Sequence, residues 1–293
     1  MDFLTPVGWD EALELKASAP DALPITGGTD VMVELNLTAR RPTALLDLTR
    51  IAAARQWSAE DGFVRLGAGV SYRRVIDEVG ALLPGLAMAA RTVGSPQIRN
   101  RGTVGGNLGA ASPAGDSHPP LLATGAEVEA ASVRGVRRIP IDDFFTGVKR
   151  NALAPDELIT AVVVPISRGP QQFSKIGPRN AMVIAVCSFA LALDPQREVI
   201  GTGIGSAAPT PIRAAKAEAF LTGELRERDL WHRRGPLPES VVEHFAGLVA
   251  AAAAPIDDVR GTAAYRRHAL SVLARRTVNW AWDDYWTTGR AAA

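Results

Sequence analysis

Two glycine-rich stretches concentrate the groups that could do chemistry. The first is Ile25-Thr26-Gly27-Gly28-Thr29-Asp30. The second is Gly102-Thr103-Val104-Gly105-Gly106-Asn107-Leu108, followed by Ser112-Pro113-Ala114-Gly115-Asp116. Glycines let successive backbone N–H groups approach a ligand closely and form a concavity that binds anions. A pyrophosphate needs several such donors and an unobstructed approach. Thr29 and Thr103 could add hydroxyls. Asp116, ionised, accepts hydrogen bonds only, which suits ribose hydroxyls, and Asn107 both donates and accepts, which suits the edge of a heterocycle. Taken one at a time, each stretch reads first as a tight turn, which is far commoner than a phosphate cradle. Neither GxGxxG nor GxxxxGK[ST] occurs, so neither a dinucleotide fingerprint of the Rossmann type nor a P-loop is supported. Spacing alone supports a nucleotide site and nothing finer.

Other chemistry finds little footing. The single cysteine, Cys187, can neither close an internal disulfide nor hold an iron–sulfur cluster, which takes about four thiolates. Its neighbours, Ala185 to Leu191, are mostly apolar and predict a buried strand. His118, His232, His244 and His268 are far apart and lack metal-ligand spacing. No GxSxG elbow and no Ser/His/Asp pattern is present. Asp142-Asp143 and Asp257-Asp258 are adjacent carboxylates that point different ways, as helix caps or surface charges do. No catalytic residue and no metal ligand is assigned.

The elements that must position these groups are legible in outline. A chain of 293 residues favours two domains. Its hydrophobic fraction of 47% and charged fraction of 22% are those of an ordinary globular protein. A net charge of +1 gives no reason to expect nucleic acid as a partner, and Arg134, Arg137 and Arg138 fit a solvated hairpin. No apolar run reaches the roughly 18 residues that a membrane span needs. Asp2 and Pro6 do not suit a signal peptide, so the expected location is the cytoplasm.

Thr5-Pro6 predicts a helix start before Trp9, Ala12 and Leu13. Strands are expected at Leu23 to Thr26, Ala44 to Leu48, Phe63 to Gly69 and Leu158 to Pro165, with a hairpin over Glu127 to Ile139. Val31 to Leu37 is either helix or strand. Ser71 should cap a helix through Val75 and Val79, and another should run from Leu86 to Val93. Ser95 to Asp116 is expected to be irregular and functional. Beyond a linker at Ser167 to Pro170, paired strands are expected over Ala181 to Leu193 and Val199 to Ile204. Helices should then cover Ile212 to Leu221, Ser240 to Ala253 and Thr262 to Trp282. Glu227 to Pro238 is expected to be an exposed loop.

Taken together and in order, Ile25 to Asp30, Arg99 to Asn107 and Ser112 to Asp116 resemble the FAD-binding medium subunit of the xanthine dehydrogenase and carbon monoxide dehydrogenase family. Lys175-Ile176-Gly177-Pro178-Arg179 with Ile184-Ala185, and Asp258-Val259-Arg260-Gly261 with Tyr265-Arg266-Arg267, continue the likeness over nearly the whole chain. The resemblance implies an α+β chain. Residues 1–166 would form an FAD-binding domain of the vanillyl-alcohol-oxidase (PCMH) type with two subdomains. Residues 171–288 would form a CO-dehydrogenase-flavoprotein C-terminal domain, a three-stranded antiparallel sheet plus a helical bundle.

It also implies residue roles. Pro24, Ile25, Thr26, Gly27, Gly28, Thr29, Asp30 and Val31 would wrap the FAD pyrophosphate. Thr103, Gly105, Gly106 and Asn107 would line the cofactor's second side. Asp116 would hold the ribose or adenine end, Ile159 would pack near the adenine, and Lys175 would face the flavin. FAD would be the cofactor of this chain. Molybdopterin and [2Fe–2S] clusters would sit on a large and a small partner subunit, in a heterotrimer. Electrons would pass through FAD to NAD⁺ or another acceptor, and a purine such as xanthine is the favoured substrate, with aldehydes, carbon monoxide and N-heterocycles open. Two alternatives stand beside this: a stand-alone flavoprotein oxidase or reductase, and a structural subunit without FAD. The chain departs from the family in two places: Met182 and Val183 occupy positions where some members carry acidic residues near the flavin, which leaves the acceptor open, and the stretch Glu227 to Pro238 reads as an addition.

Overall fold

The computed structural model describes residues 1–38, 41–233 and 235–291. The chain opens with β1 (Asp2–Leu4), α1 (Trp9–Ser18), β2 (Leu23–Ile25), α2 (Val31–Leu37) and β3 (Ala44–Asp47). These strands form a three-stranded parallel sheet in the order β1-β3-β2. The central strand is the apolar run Ala44-Leu45-Leu46, fully sequestered as a middle strand must be. α1 starts later than Thr5-Pro6 suggests. Gly8 is its N-cap residue, and the Glu11 carboxylate accepts from the Val7 N–H at 2.8 Å.

A five-stranded antiparallel sheet follows. Its members are β4 (Trp57–Glu60), β5 (Phe63–Gly67), β6 (Glu127–Ser132), β7 (Gly135–Pro140) and, in the centre, β10 (Leu158–Pro165), in the order β4-β5-β10-β6-β7. Before β6 lie α3 (Tyr72–Arg74), which runs on into a π-helical turn, then α4 (Pro84–Thr92), α5 (Pro96–Arg101), α6 (Val104–Ala110) and α7 (His118–Thr124). After β7 come α8 (Ile141–Phe144) and the small pair β8 (Phe145–Gly147) and β9 (Arg150–Asn151). The segment from Ser95 to Asp116, expected to be irregular, thus holds two short helices. Each has a hydroxyl cap: Ser95 accepts from the Ile98 N–H, and Thr103 accepts from the Gly106 N–H at 2.9 Å.

The remaining chain builds a three-stranded antiparallel sheet from β11 (Gln171–Ile176), β12 (Cys187–Asp194) and β13 (Val199–Gly205). Four helices complete it: α9 (Ala215–Glu227), α10 (Leu230–Arg233), α11 (Glu239–Ala252) and α12 (Ala263–Ala291). β12 begins at Cys187, because Gly177 to Ala185 forms a loop instead of extending the ladder. The thiol is buried as expected, and burial pushes it up to about 12. The expected exposed loop at Glu227 to Pro238 is corrected as well. Within it Trp231 is buried against Trp282 and Tyr285, whose hydroxyl donates to the Trp231 carbonyl at 2.9 Å. Arg234 of that segment lies outside the described residues.

This sheet has two unlike faces, set by the period-two alternation of strand side chains. Phe189, Leu191, Ile200 and Ile204 point to the helices α9, α11 and α12. Gly201, Gly203 and Gly205 point the other way, where α7 lies on them. A Cβ at Gly201 would fall 1.9 Å from the Ala123 carbonyl oxygen, and one at Gly203 would fall 2.0 Å from that of Pro119. The helix backbone therefore rests directly on the strand. Phe173 and Ala190 share this face with Ala89 and Ala123 in a small apolar seam between the two halves of the chain.

Candidate functional site

The two glycine-rich stretches meet in space. β2 delivers Thr26 and Gly27 against the turn between α5 and α6. A Cβ on Gly27 would lie 1.9 Å from the Arg101 carbonyl oxygen, so that position excludes any side chain. The hydroxyls of Thr26 and Thr103 are 3.0 Å apart, and a Cβ on Gly106 would press on both, at 3.1 and 3.0 Å. Gly28 is needed for another reason. Its φ of +76° belongs to the left-handed region, while a Cβ there would meet only the side chains of Ile25 and Met32.

Beside this seam is a cleft of about 290 Å³, lined by Thr26, Gly27, Gly28, Thr29, Thr49 and Arg101, with the apolar Phe3, Ile25 and Met32 and with Asp47, whose carboxylate accepts from the Thr49 N–H at 2.9 Å. Among the described residues no hydrogen bond occupies the N–H groups of Gly27, Gly28, Thr29 or Asp30. Consecutive free amides at the mouth of a cleft, with a guanidinium beside them, make an anion site. Asp30 faces solvent, Val31 starts α2, and Pro24 pairs with Leu46 in β3.

A second group of polar residues lies beyond Thr103. Lys175, on the β11 face that carries Phe173, donates to Asp116 Oδ2 at 2.6 Å. It also donates to the Thr92 carbonyl at 3.3 Å, and the Thr92 hydroxyl, 2.8 Å from the Ala89 carbonyl and 3.2 Å from Asp116 Oδ2, shares its one proton between those two acceptors. Both charged side chains are over nine-tenths buried. Burial pushes the Asp116 carboxyl up, and the Lys175 ammonium draws it back only in part. Asp116 Oδ1 is buried with no partner among the described residues. Close by, the Ser117 hydroxyl donates to Asn107 Oδ1 at 2.7 Å.

The structure thus gathers Thr26 to Thr29, Thr103 and Gly106 at one end, and Asn107, Asp116 and Lys175 at the other. Gly105 and Ile159 belong to the supports. Gly105 is buried, with Ala68 where its Cβ would be, and Ile159 sits in β10 beneath Gly109. Sequence reasoning missed Thr92, Arg101, Tyr72 and Ser117. The last two are buried and carry no local motif. The capping role of Thr103 had a signal, a threonine directly before a helix.

A family model for the FAD-binding domain in molybdopterin dehydrogenases matches residues 1–167. A second, for the CO dehydrogenase flavoprotein C-terminal domain, matches residues 172–281. The chain belongs to the FAD-binding subunits of the xanthine dehydrogenase family of molybdenum hydroxylases. It is 31% identical to the xanthine dehydrogenase FAD-binding subunit of Escherichia coli O157:H7, covering 92% of this chain and 91% of that one. It is 29% identical to the nicotine 6-hydroxylase medium subunit of Paenarthrobacter nicotinovorans, covering 94% and 95%. Among solved structures, a chain of the carbon monoxide dehydrogenase from Hydrogenophaga pseudoflava superposes with a TM-score of 0.87 at 28% identity, covering 96% and 97%.

The residues present in this flavin subunit fit FAD. The cleft with free amides and Arg101 offers what a diphosphate needs, and the unpartnered Asp116 Oδ1 is an acceptor in want of a hydroxyl or N–H. The side chains at both ends have the chemistry to bind and orient a ligand. None of them pairs a nucleophile with a base, and the described residues contain no cluster that could hold a metal ion. No described helix is long and apolar enough to cross a membrane.

Proposed function

We propose that this subunit serves electron transfer inside a larger hydroxylase. A large molybdopterin-binding subunit and a small [2Fe–2S] subunit would be its partners, in a heterotrimer of the cytoplasm. When bound, FAD supplies the redox chemistry, exchanging electrons between partner clusters and NAD⁺ or another acceptor. The hydroxylated substrate belongs to the partner, and a purine such as xanthine is the reading that the E. coli relative's name favours. The chain would divide into a cofactor domain over residues 1–166 and a C-terminal domain over 171–288.

Within it, Pro24 to Val31 would surround the diphosphate, with Arg101 balancing its charge. Thr103 and Gly106 would close the second side, with Gly105 and Ile159 as supports. Asn107, Asp116 and Lys175 would address the cofactor's polar edges. One observation carries this reading: the run of free N–H groups from Gly27 to Thr29 opens onto the cleft beside the Thr26–Thr103 seam.

A visible spectrum of the purified chain, followed by identification of the pigment released by heat, tests it. The expected result is FAD, with no turnover of small substrates by the chain alone. Turnover by the chain alone would favour a self-sufficient oxidase or reductase. A colourless chain that also ignores added FAD would favour a structural subunit. Mixing the chemically reduced protein with NAD⁺ then settles the acceptor, since NADH forms only if NAD⁺ is a competent one.

A further inference from the structure

The Asn107 side chain is held by a line of buried hydroxyls. The Tyr72 hydroxyl donates to Ser117 Oγ at 3.4 Å, and Ser117 donates to Asn107 Oδ1 at 2.7 Å. The three residues come from α3, the residue before α7, and α6, so the line ties three helices together at the site. Tyr72 is 2% exposed and Ser117 is fully buried.

The direction of the line follows from proton counting. Burial pushes the Tyr72 phenol far above its usual range, so it keeps its proton. Among the described residues Ser117 is its sole partner, so that proton points to Ser117. A serine that accepts from one side has one proton left, and it goes to Asn107. Reversing the line would leave the phenolic proton buried without an acceptor. The Asn107 amide is thereby oriented by its network, oxygen toward Ser117 and nitrogen away. Its backbone is already engaged, the N–H with the Thr103 carbonyl and the carbonyl with the Ala111 N–H. What Asn107 can still offer is its NH₂ group, which has no partner among the described residues on a side chain that is only partly buried.

We infer that Tyr72 and Ser117 are positioning residues that hold Asn107 as a pure hydrogen-bond donor, so that it recognises an acceptor edge of the cofactor's heterocycle, a carbonyl oxygen or bare ring nitrogen. This rests on the reading that Asn107 faces FAD. Without the line the amide could turn over and address an N–H instead.

The test uses the whole chain loaded with FAD, measuring the dissociation constant, the flavin midpoint potential and absorbance maxima, and thermal unfolding. Ser117→Ala is expected to weaken FAD about tenfold, the effect of one hydrogen bond, and to shift the potential and the maxima. Tyr72→Phe should move the same readouts the same way by less, and Ser117→Thr, which keeps the hydroxyl, should restore them. Asn107→Asp, which swaps the donor for an acceptor-only group, should weaken FAD more than Asn107→Ala does. If Ser117→Ala lowers the unfolding temperature but leaves affinity, potential and maxima unchanged while Asn107→Ala weakens FAD, the positioning role is overturned and the cofactor reading stands. If Asn107→Ala also leaves FAD affinity unchanged, Asn107 does not face the cofactor, and the reading beneath the inference fails with it.

Discussion

His118 is sealed beneath the loop that carries Asp116. Its Nε2 lies 3.3 Å from the Asn107 carbonyl, its ring packs on Phe145 at 4.6 Å, and a Cβ on Gly115 would fall 2.2 Å from its Cε1. Burial holds the imidazole down at about 4, against an ordinary value of 6.5. Between those values the unfolded chain takes a proton that the folded one refuses, so stability falls as pH drops through that window and is flat with respect to this group above it. The full effect is of order 3 kcal/mol. Urea unfolding of the wild type from neutral pH to pH about 4, set against His118→Gln, is expected to show a steeper loss in the wild type. The residues that matter most here differ in how visible they are in the sequence. Gly27 and Gly28 announce themselves by type, though the reason for each, a carbonyl at 1.9 Å and a φ of +76°, is written only in space. Tyr72 and Ser117 give no local sign, because what makes them matter is a partner that lies 45 residues away in the chain.

Among the elements, α7 shows how a short helix is seated without side-chain interlocking. Gly203→Ala would drive a methyl into the Pro119 carbonyl, and backbone cannot step aside as a side chain can. It is expected to destabilise by about 1–3 kcal/mol and to weaken FAD retention, since α7 follows directly on Asp116 and Ser117. Gly247→Ala in α11, where nothing lies within 4 Å, is the control and should stabilise by up to about 1 kcal/mol. Chemical denaturation with flavin fluorescence reads both. Strands such as Leu158–Pro165 were legible because a central strand buried on both faces is a continuous β-branched run. The helices α5 and α6 were not, because glycine and asparagine predict poor helices, while Ser95, Pro96 and Thr103 supply the ends. The segment around Trp231 misled because its few apolar anchors are spaced irregularly, yet one buried indole is enough to pin it.

At the scale of the whole molecule, the Lys175–Asp116 pair joins the two regions that the family models match separately. Removing one partner of a buried pair leaves an uncompensated charge, at about 3–5 kcal/mol. Lys175→Met is therefore expected to be strongly destabilised at neutral pH. The Asp116 carboxyl, already pushed up by burial, would rise further once the ammonium is gone. A raised carboxyl is tolerated while protonated, so the variant should recover stability as pH falls through that raised value, and Lys175→Met with Asp116→Asn should recover much of it without acid. Urea midpoints of the three proteins at neutral and mildly acidic pH check this.

The glycines of β13 also bear on how such subunits can be inherited. Lys175 and the bare face formed by Gly201, Gly203 and Gly205 lie on the same side of one sheet, and both meet the loop and helix that begin at Asp116. The C-terminal region is thus a mould as much as a cover. A relative's C-terminal region can replace this one only if it brings the flat strand and the lysine in the same register. Outward surfaces carry no such steric demand, whereas the two sides of this seam have to match each other.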